Sequence, residues 1–306
     1  MTKPLITIGI TCYNEGDWLL ECWDSVLAQT DERWTAVLVM DGTTHERTRE
    51  VFEQLEHPKL LKYAMPYNQG AYPTGNKAFE LGQAPYHFWL AADDHLVPES
   101  VALVLKAFAE HPDAGFVYGD YEVFVAQDRI SRHLREYAAD DLVKVGGCLP
   151  GACAYRRDVW VELGGFAPEL PRGNGDHDFH IGLFERGYRG VHCGEVFYRY
   201  RVGHASVCGS YTDRVHESHE TIVRRHPEFF EDEARRRRFL GMGYACAAEA
   251  SYLGGIRKAS GLVDQAAEHG CGKLVRRLRW WLRFSKAFVC AHQLVLRMLG
   301  RFRSKR

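Results

Sequence analysis

The sequence has no run of about 18 apolar residues, so no membrane-spanning helix is expected. It also has no Cys-x-x-Cys pair. Its nine cysteines stand scattered at 12, 22, 148, 153, 193, 208, 246, 271 and 290. An odd, unpatterned set argues against a disulfide framework and for reduced, mostly buried thiols in a cytoplasmic protein. Met1-Thr2-Lys3-Pro4 runs straight into an apolar stretch, so no signal peptide is expected. There is no internal repeat and no low-complexity linker. No Gly-x-Gly-x-x-Gly follows the first apolar run, which speaks against a dinucleotide-binding redox enzyme. Acidic residues are missing from one end only. Residues 273–306 hold 11 Lys and Arg and no Asp or Glu, whereas residues 1–272 carry 28 basic against 40 acidic side chains. An acidic body with a basic tail points to an anionic surface as the tail's partner.

What is present is ordinary for a globular chain: 306 residues, 46% apolar and 26% charged, enough for one large domain or two smaller ones. Leu5-Ile6-Thr7-Ile8-Gly9-Ile10 reads as a buried strand. The polar loop Thr11-Cys12-Tyr13-Asn14-Glu15-Gly16 follows, and Asp17 can cap the next helix. A second strand over 34–40 ends in Asp41, a helix follows over about 44–55, and a short strand covers 60–64. Gly75-Asn76-Lys77-Ala78 opens another helix. Strand, helix, strand in this order, with strands apolar on both faces, predicts a mostly parallel sheet covered by helices.

The next strand, 86–92, ends in Ala91-Ala92-Asp93-Asp94-His95. Two adjacent carboxylates after an apolar run repel each other and resist burial, and a cation resolves that conflict. Ligands of parallel sheets bind at the carboxyl ends of strands. Tyr13, Glu15, Asp41, Asp93 and Asp94 all lie at such ends and should converge on one crevice. Further strands are expected over 115–120, 122–125 and 194–202, and the Gly-rich loop 171–178 runs into an amphipathic helix. After about 211 the chain reads as helical. His177, His180, His216 and His219 read as polar residues on helix surfaces rather than as metal ligands.

Several ordered motifs resemble those of family 2 glycosyltransferases. Thr11-Cys12-Tyr13-Asn14-Glu15 resembles the family's Pro-x-Tyr-Asn loop, with Cys12 in place of Pro. Val39-Met40-Asp41-Gly42 resembles its Asp-Gly step. Asn68-Gln69-Gly70 through Asn76-Lys77-Ala78 resembles Asn-x-Gly…Arg-Asn-x-Ala, with Gly75 in place of Arg. Leu90-Ala91-Ala92-Asp93-Asp94 resembles the Asp-x-Asp-Asp metal motif, with Ala91 in place of the first Asp. Gly164-Gly165-Phe166 and Gly175-Asp176-His177-Asp178 resemble the Gly-Gly-Phe and Glu-Asp stretches, with Gly175 in place of Glu. The resemblance covers roughly 4–210.

The resemblance implies an α/β fold of the GT-A, Rossmann-like type: a mostly parallel central sheet flanked by helices, here with a helical C-terminal extension. The catalytic domain is expected over 1–212, with a nucleotide-sugar half at about 1–97 and an acceptor half at about 98–212. A helical region with a basic amphipathic tail at 273–306 follows. The implied activity is inverting transfer of a sugar from a nucleotide diphosphate sugar to a hydroxyl acceptor, a glycan or lipid-linked glycan of surface polysaccharide. Asp93, Asp94 and His204 would hold Mg²⁺ or Mn²⁺. Thr11, Tyr13, Glu15, Asp41, Asn76 and Asp93 would line the donor pocket, and Asp176 would act as base.

Two other readings compete. A sugar nucleotidyltransferase would carry a basic, Gly-rich loop after the first strand, and residues 11–17 have no basic residue and one Gly. A non-catalytic binding or scaffold protein fits Ala91 and Gly175 but not the retained Asp93, Asp94 and Asp176. The tail, with Trp280 and Trp281 among its arginines, fits peripheral contact with the inner face of the cell membrane. A helix packed on the catalytic body is the alternative, and nucleic acid is not expected.

Overall fold

The computed structural model describes residues 3–125, 128–132, 139–143, 151–170, 173–203, 212–252, 256–270 and 275–276. The chain divides into two compact units, Met1–Ser210 and Tyr211–Arg306.

In the first unit the apolar runs become strands β1 (Ile6–Cys12), β2 (Trp34–Asp41), β3 (Leu60–Met65) and β4 (Tyr86–Ala91). Helices α1 (Trp18–Leu27), α2 (Glu46–Gln54) and α3 (Ala71–Leu81) connect them. The short β5 (His95–Leu96) and helix α4 (Ser100–Glu110) come next. Then follow β6 (Phe116–Val125), β7 (Asp128–Arg132), β8 (Ala154–Arg156), α5 (Arg157–Glu162), α6 (Gly175–Glu185) and β9 (Gly190–Arg201).

These strands form one sheet in the order β3-β2-β1-β4-β8-β6-β9-β5, with β7 paired to β6. The ladders β3-β2-β1-β4 and β6-β9 are parallel, and the short β8 and β5 pair antiparallel. The sheet is therefore mostly parallel, as the alternation of strand and helix predicts. Three details differ from the sequence expectation. Residues Phe116–Val125 make one strand rather than two, because pairing with β9 continues across a register shift between Tyr118 and Tyr121. β5 and β8 are two and three residues long, too short to show a period. The last strand starts at Gly190 rather than 194.

Alternate strand residues feed two cores. Ile6, Ile8, Ile10, Leu38, Phe88 and Leu90 pack with Leu19, Cys22 and Val26 of α1 and Val101 and Phe108 of α4. Val37, Val39 and Trp89 face the other way and pack with Tyr72 and Phe79 of α3 and Phe179 and Leu183 of α6. Period-two alternation sorts a central strand between two helical layers in this way.

The second unit holds helices Val215–Arg225, Glu233–Tyr252 and Ile256–Glu268. Ala245, Ala248, Leu262, Val263, Ala266 and Val275 form its small core. No helix among the described residues is long and apolar enough to cross a membrane. The tail 273–306 lies outside the described residues except for 275–276.

Candidate active site

The sheet order places β1 between β2 and β4, so the chain leaves β1 toward one side and returns on the other. At that switch point the loops after the two strands diverge and leave a crevice. Register fixes what borders it. Thr11 pairs with Ala91 across β1 and β4, and Cys12 with Met40 across β1 and β2. Tyr13, Asp41 and Asp93 follow at the same edge.

The first loop is closed by its own polar groups. The Glu15 carboxylate accepts the Tyr13 backbone N–H and the Cys12 thiol. Thr43 donates to the Asn14 side chain, and the Gly16 N–H donates to Thr48 across 2.9 Å. Burial raises the Glu15 carboxyl above its ordinary value, and the nearby Asp93 charge raises it further. The Tyr13 side chain is exposed. Thr11 sits behind it, its hydroxyl accepting the Trp89 indole N–H at 3.1 Å.

Asp41 is 4% exposed, and its two oxygens accept the Gln69 and Gly70 N–H groups at 2.7 and 2.8 Å. The carboxylate thus ties the end of β2 to the turn that opens α3, a structural task that the strand-end position alone did not reveal. The neighbouring Gly42 has φ +56°, and a Cβ there would lie 2.3 Å from the Tyr67 carbonyl carbon, so no side chain fits. Asn76 is also engaged internally. Its carboxamide donates to the Phe166 carbonyl and accepts the Phe166 N–H, both at 2.8 Å. It anchors the Gly164-Gly165-Phe166 segment to α3.

Asp93 and Asp94 form the turn after β4, closed by the Asp94 N–H on the Ala91 carbonyl at 3.0 Å. Asp94 is 5% exposed and accepts the Arg201 backbone N–H at 2.8 Å. Burial holds its carboxyl well above the usual range, and the Asp93 charge adds to the effect. Arg201, from the end of β9, backs the whole turn. Its Nε donates to the Asp93 carbonyl at 2.8 Å, and an Nη donates to Glu21 at 2.6 Å. Its guanidinium lies over the rings of Trp18 and Phe124. The sequence reading missed Arg201 and Glu21. The one available signal was an arginine among the aromatic residues of the last strand.

Asp176 stands in the first turn of α6. The residue before Gly175, Asn174, adopts φ 60°, a left-handed geometry that Asn tolerates better than most side chains. Asp176 Oδ1 accepts the Tyr72 hydroxyl at 2.8 Å and the His177 N–H at 2.9 Å. Tyr72 packs edge-on against Trp89, the ring that donates to Thr11. The carboxylate of α6 is thereby linked to the end of β1.

The chain matches the Glycosyl transferase family 2 profile over residues 7–164. It belongs to that family. Among its relatives are a chondroitin synthase of Pasteurella multocida, 32% identical over 117 residues, and the putative teichuronic acid biosynthesis glycosyltransferase TuaG of Bacillus subtilis, 24% identical over 213. The matches cover 38% and 67% of this chain and 12% and 82% of those proteins. The chain thus spans only a small part of the length of the chondroitin synthase. Staphylococcus aureus TarS 1–349, solved with UDP-GlcNAc, shares the fold with a TM-score of 0.67 at 14% identity, over 92% of this chain and 87% of that one. A mannosyltransferase of Pyrobaculum calidifontis, solved with GDP-Man and Mn²⁺, gives 0.57 at 18% identity, over 95% and 87%. The fold is GT-A-like.

Within that family frame the described residues supply hard oxygen donors at the β4 turn. No group of three or more His, Cys, Asp or Glu side chains that could hold a metal forms among them. Asp93 flanked by Asp94 fits a cation such as Mg²⁺, which commonly takes one or two carboxylates and completes its shell with substrate phosphates and water. His204, the third expected ligand, lies outside the described residues.

The histidines of the helices depart from expectation. His177 and His180 are 2% and 0% exposed, not on a surface. His177 Nε2 donates to the Leu142 carbonyl at 2.6 Å, and His180 Nε2 meets the Tyr155 hydroxyl at 3.1 Å. α6 is buried nearly all round rather than amphipathic, so polar residues on it are enclosed. His219 is also buried, bonded to the Phe239 carbonyl at 2.8 Å.

Proposed function

We propose that this glycosyltransferase moves a sugar from a nucleotide diphosphate sugar to a hydroxyl acceptor with inversion at the anomeric carbon. The observation that carries the reading is the linkage of Asp176, through Tyr72 and Trp89, to Thr11 at the end of β1. A carboxylate is held facing the strand ends where a donor binds in such sheets. The nucleotide lies against Tyr13 and Glu15, with Thr11 and Asp41 behind them. Asn76 serves by anchoring the loop at Phe166. Residues 1–97 form the donor half and 98–212 the acceptor half.

Asp93, with Asp94 beside it and His204, would hold Mg²⁺ or Mn²⁺, which when bound would supply neutralisation of the charge on the departing diphosphate. The acceptor oxygen bonds to the anomeric carbon as the bond from that carbon to the diphosphate oxygen breaks on the opposite face. Asp176 takes the acceptor's hydroxyl proton. Arg201 and Glu21 keep the Asp93 turn in place and touch no substrate.

The names of the relatives support surface polysaccharide assembly as the setting. A glycan or lipid-linked acceptor at the inner face of the cell membrane, met by the basic tail 273–306, suits that setting. The test is isothermal calorimetry with UDP and GDP, with and without Mn²⁺. Wild type should bind one of them with Mn²⁺ dependence, and Asp93→Ala should lose that dependence with an affinity loss of about 10-fold or more. Unchanged affinity in the variant would remove Asp93 from the site.

A further inference from the structure

Gly175 opens α6 and leaves room for the side chain of another element. A Cβ built there would stand 2.6 Å from Cγ of Tyr72 and 2.8 Å from its two Cδ atoms, closer than real atoms approach. Tyr72 comes from the first turn of α3 and is 7% exposed. Trp89 and Phe166 clamp its ring edge-on, with centroids at 5.3 and 5.5 Å. Phenylalanine would fill this slot as well as tyrosine. The hydroxyl reaches Asp176 Oδ1 at 2.8 Å, where the His177 N–H also arrives at 2.9 Å. Among the described residues no hydrogen bond reaches the second oxygen, Oδ2, which lies beside Gly151.

A carboxylate anchored by two donors on one oxygen cannot turn without breaking both bonds. The other oxygen is then presented in a fixed direction, which is what proton transfer in a displacement requires. We propose that Tyr72 is a positioning residue for Asp176: through the space left by Gly175 it pins Oδ1 and aims Oδ2 at the acceptor hydroxyl. The assignment rests on the reading of Asp176 as base.

The experiment measures nucleoside diphosphate release from UDP-GlcNAc, UDP-glucose and GDP-mannose with Mn²⁺, water standing in for the acceptor hydroxyl. Tyr72→Phe should lower kcat by about 10-fold, with the donor KM within roughly twofold of wild type. Asp176→Asn should lose most release, and adding Tyr72→Phe to it should cost nothing more, because the hydroxyl acts only through the carboxylate. Gly175→Ala should reproduce the kcat loss with both functional groups intact, because its methyl displaces the Tyr72 ring. Wild-type kcat in Tyr72→Phe, or an equal further loss on the Asp176→Asn background, overturns the assignment and leaves the base reading standing. Full release by Asp176→Asn, or no release by wild type from any of the three sugars, overturns the base reading and this inference with it.

Discussion

Arg201 grips the Asp93-Asp94 turn from below: its backbone N–H donates to Asp94 Oδ1, and its Nε–H to the Asp93 carbonyl, each at 2.8 Å. One residue thereby stabilises the more buried carboxylate and fixes the backbone that carries the half-buried one. The cost of placing two like charges together is offset by a cation that is itself only 9% exposed and bonded to Glu21.

Removing that cation should loosen the turn. Arg201→Met loses the bonds to Asp93 and Glu21 and the contacts with Trp18 and Phe124, and should destabilise the protein by about 2–4 kcal/mol in urea. Arg201→Lys keeps the charge but not the planar fork, and should cost about 1–3 kcal/mol. A wild-type urea midpoint in the methionine variant would refute the bracing role.

Asn76 offers a test of the second anchor. Asn76→Ala removes both bonds to the Phe166 backbone and should cost about 1–3 kcal/mol in denaturant unfolding. The Phe166 segment also packs on Tyr72, so release of nucleoside diphosphate should fall as well. Neutral stability in this variant would show that the anchor does not matter.

Acid should find the two neutral histidines of the core. Burial lowers His87 to about 3, with the Arg157 charge adding to it, and burial lowers His180 to about 3. The unfolded chain takes up a proton on each near its ordinary value of about 6.5, whereas the folded chain does not until about 3. Between those values the unfolded state binds more protons, so stability falls as pH falls. At pH 5 the cost is about 2 kcal/mol per ring relative to neutral pH. Among the described residues no partner lies within hydrogen-bond geometry of either His87 nitrogen, and its ring lies against Phe79 at 4.6 Å. His87→Phe should therefore shrink the difference in unfolding free energy between pH 7.5 and pH 5 by about 2 kcal/mol. An unchanged difference would mean that His87 is protonated in the folded state or neutral in both.

How much of this was legible beforehand varies with the range of the interaction. The strands of the donor half announce themselves because β1, β2 and β4 are central and apolar on both faces. The strand-end carboxylates were legible for the opposite reason, since charge next to an apolar run needs an explanation. β5 and β8 were not, because two or three residues carry no pattern. α6 misled because its sequence looks half polar, while its His177 and His180 find buried partners in Leu142 and Tyr155.

By itself the sequence determined the alternation of strand and helix and the positions of Asp41, Asp93 and Asp94 at strand ends. These follow from local periodicity and from the cost of charge beside apolar surface, whereas Asp176 stands out only through the resemblance to the family. Only the tertiary structure decided what those carboxylates touch. Asp41 faces the turn before α3, Asp94 faces Arg201 from 107 residues away, and Asp176 faces Tyr72 from 104 residues away. A hydrogen bond depends on distances of about 3 Å that packing sets, and no spacing along the chain encodes them.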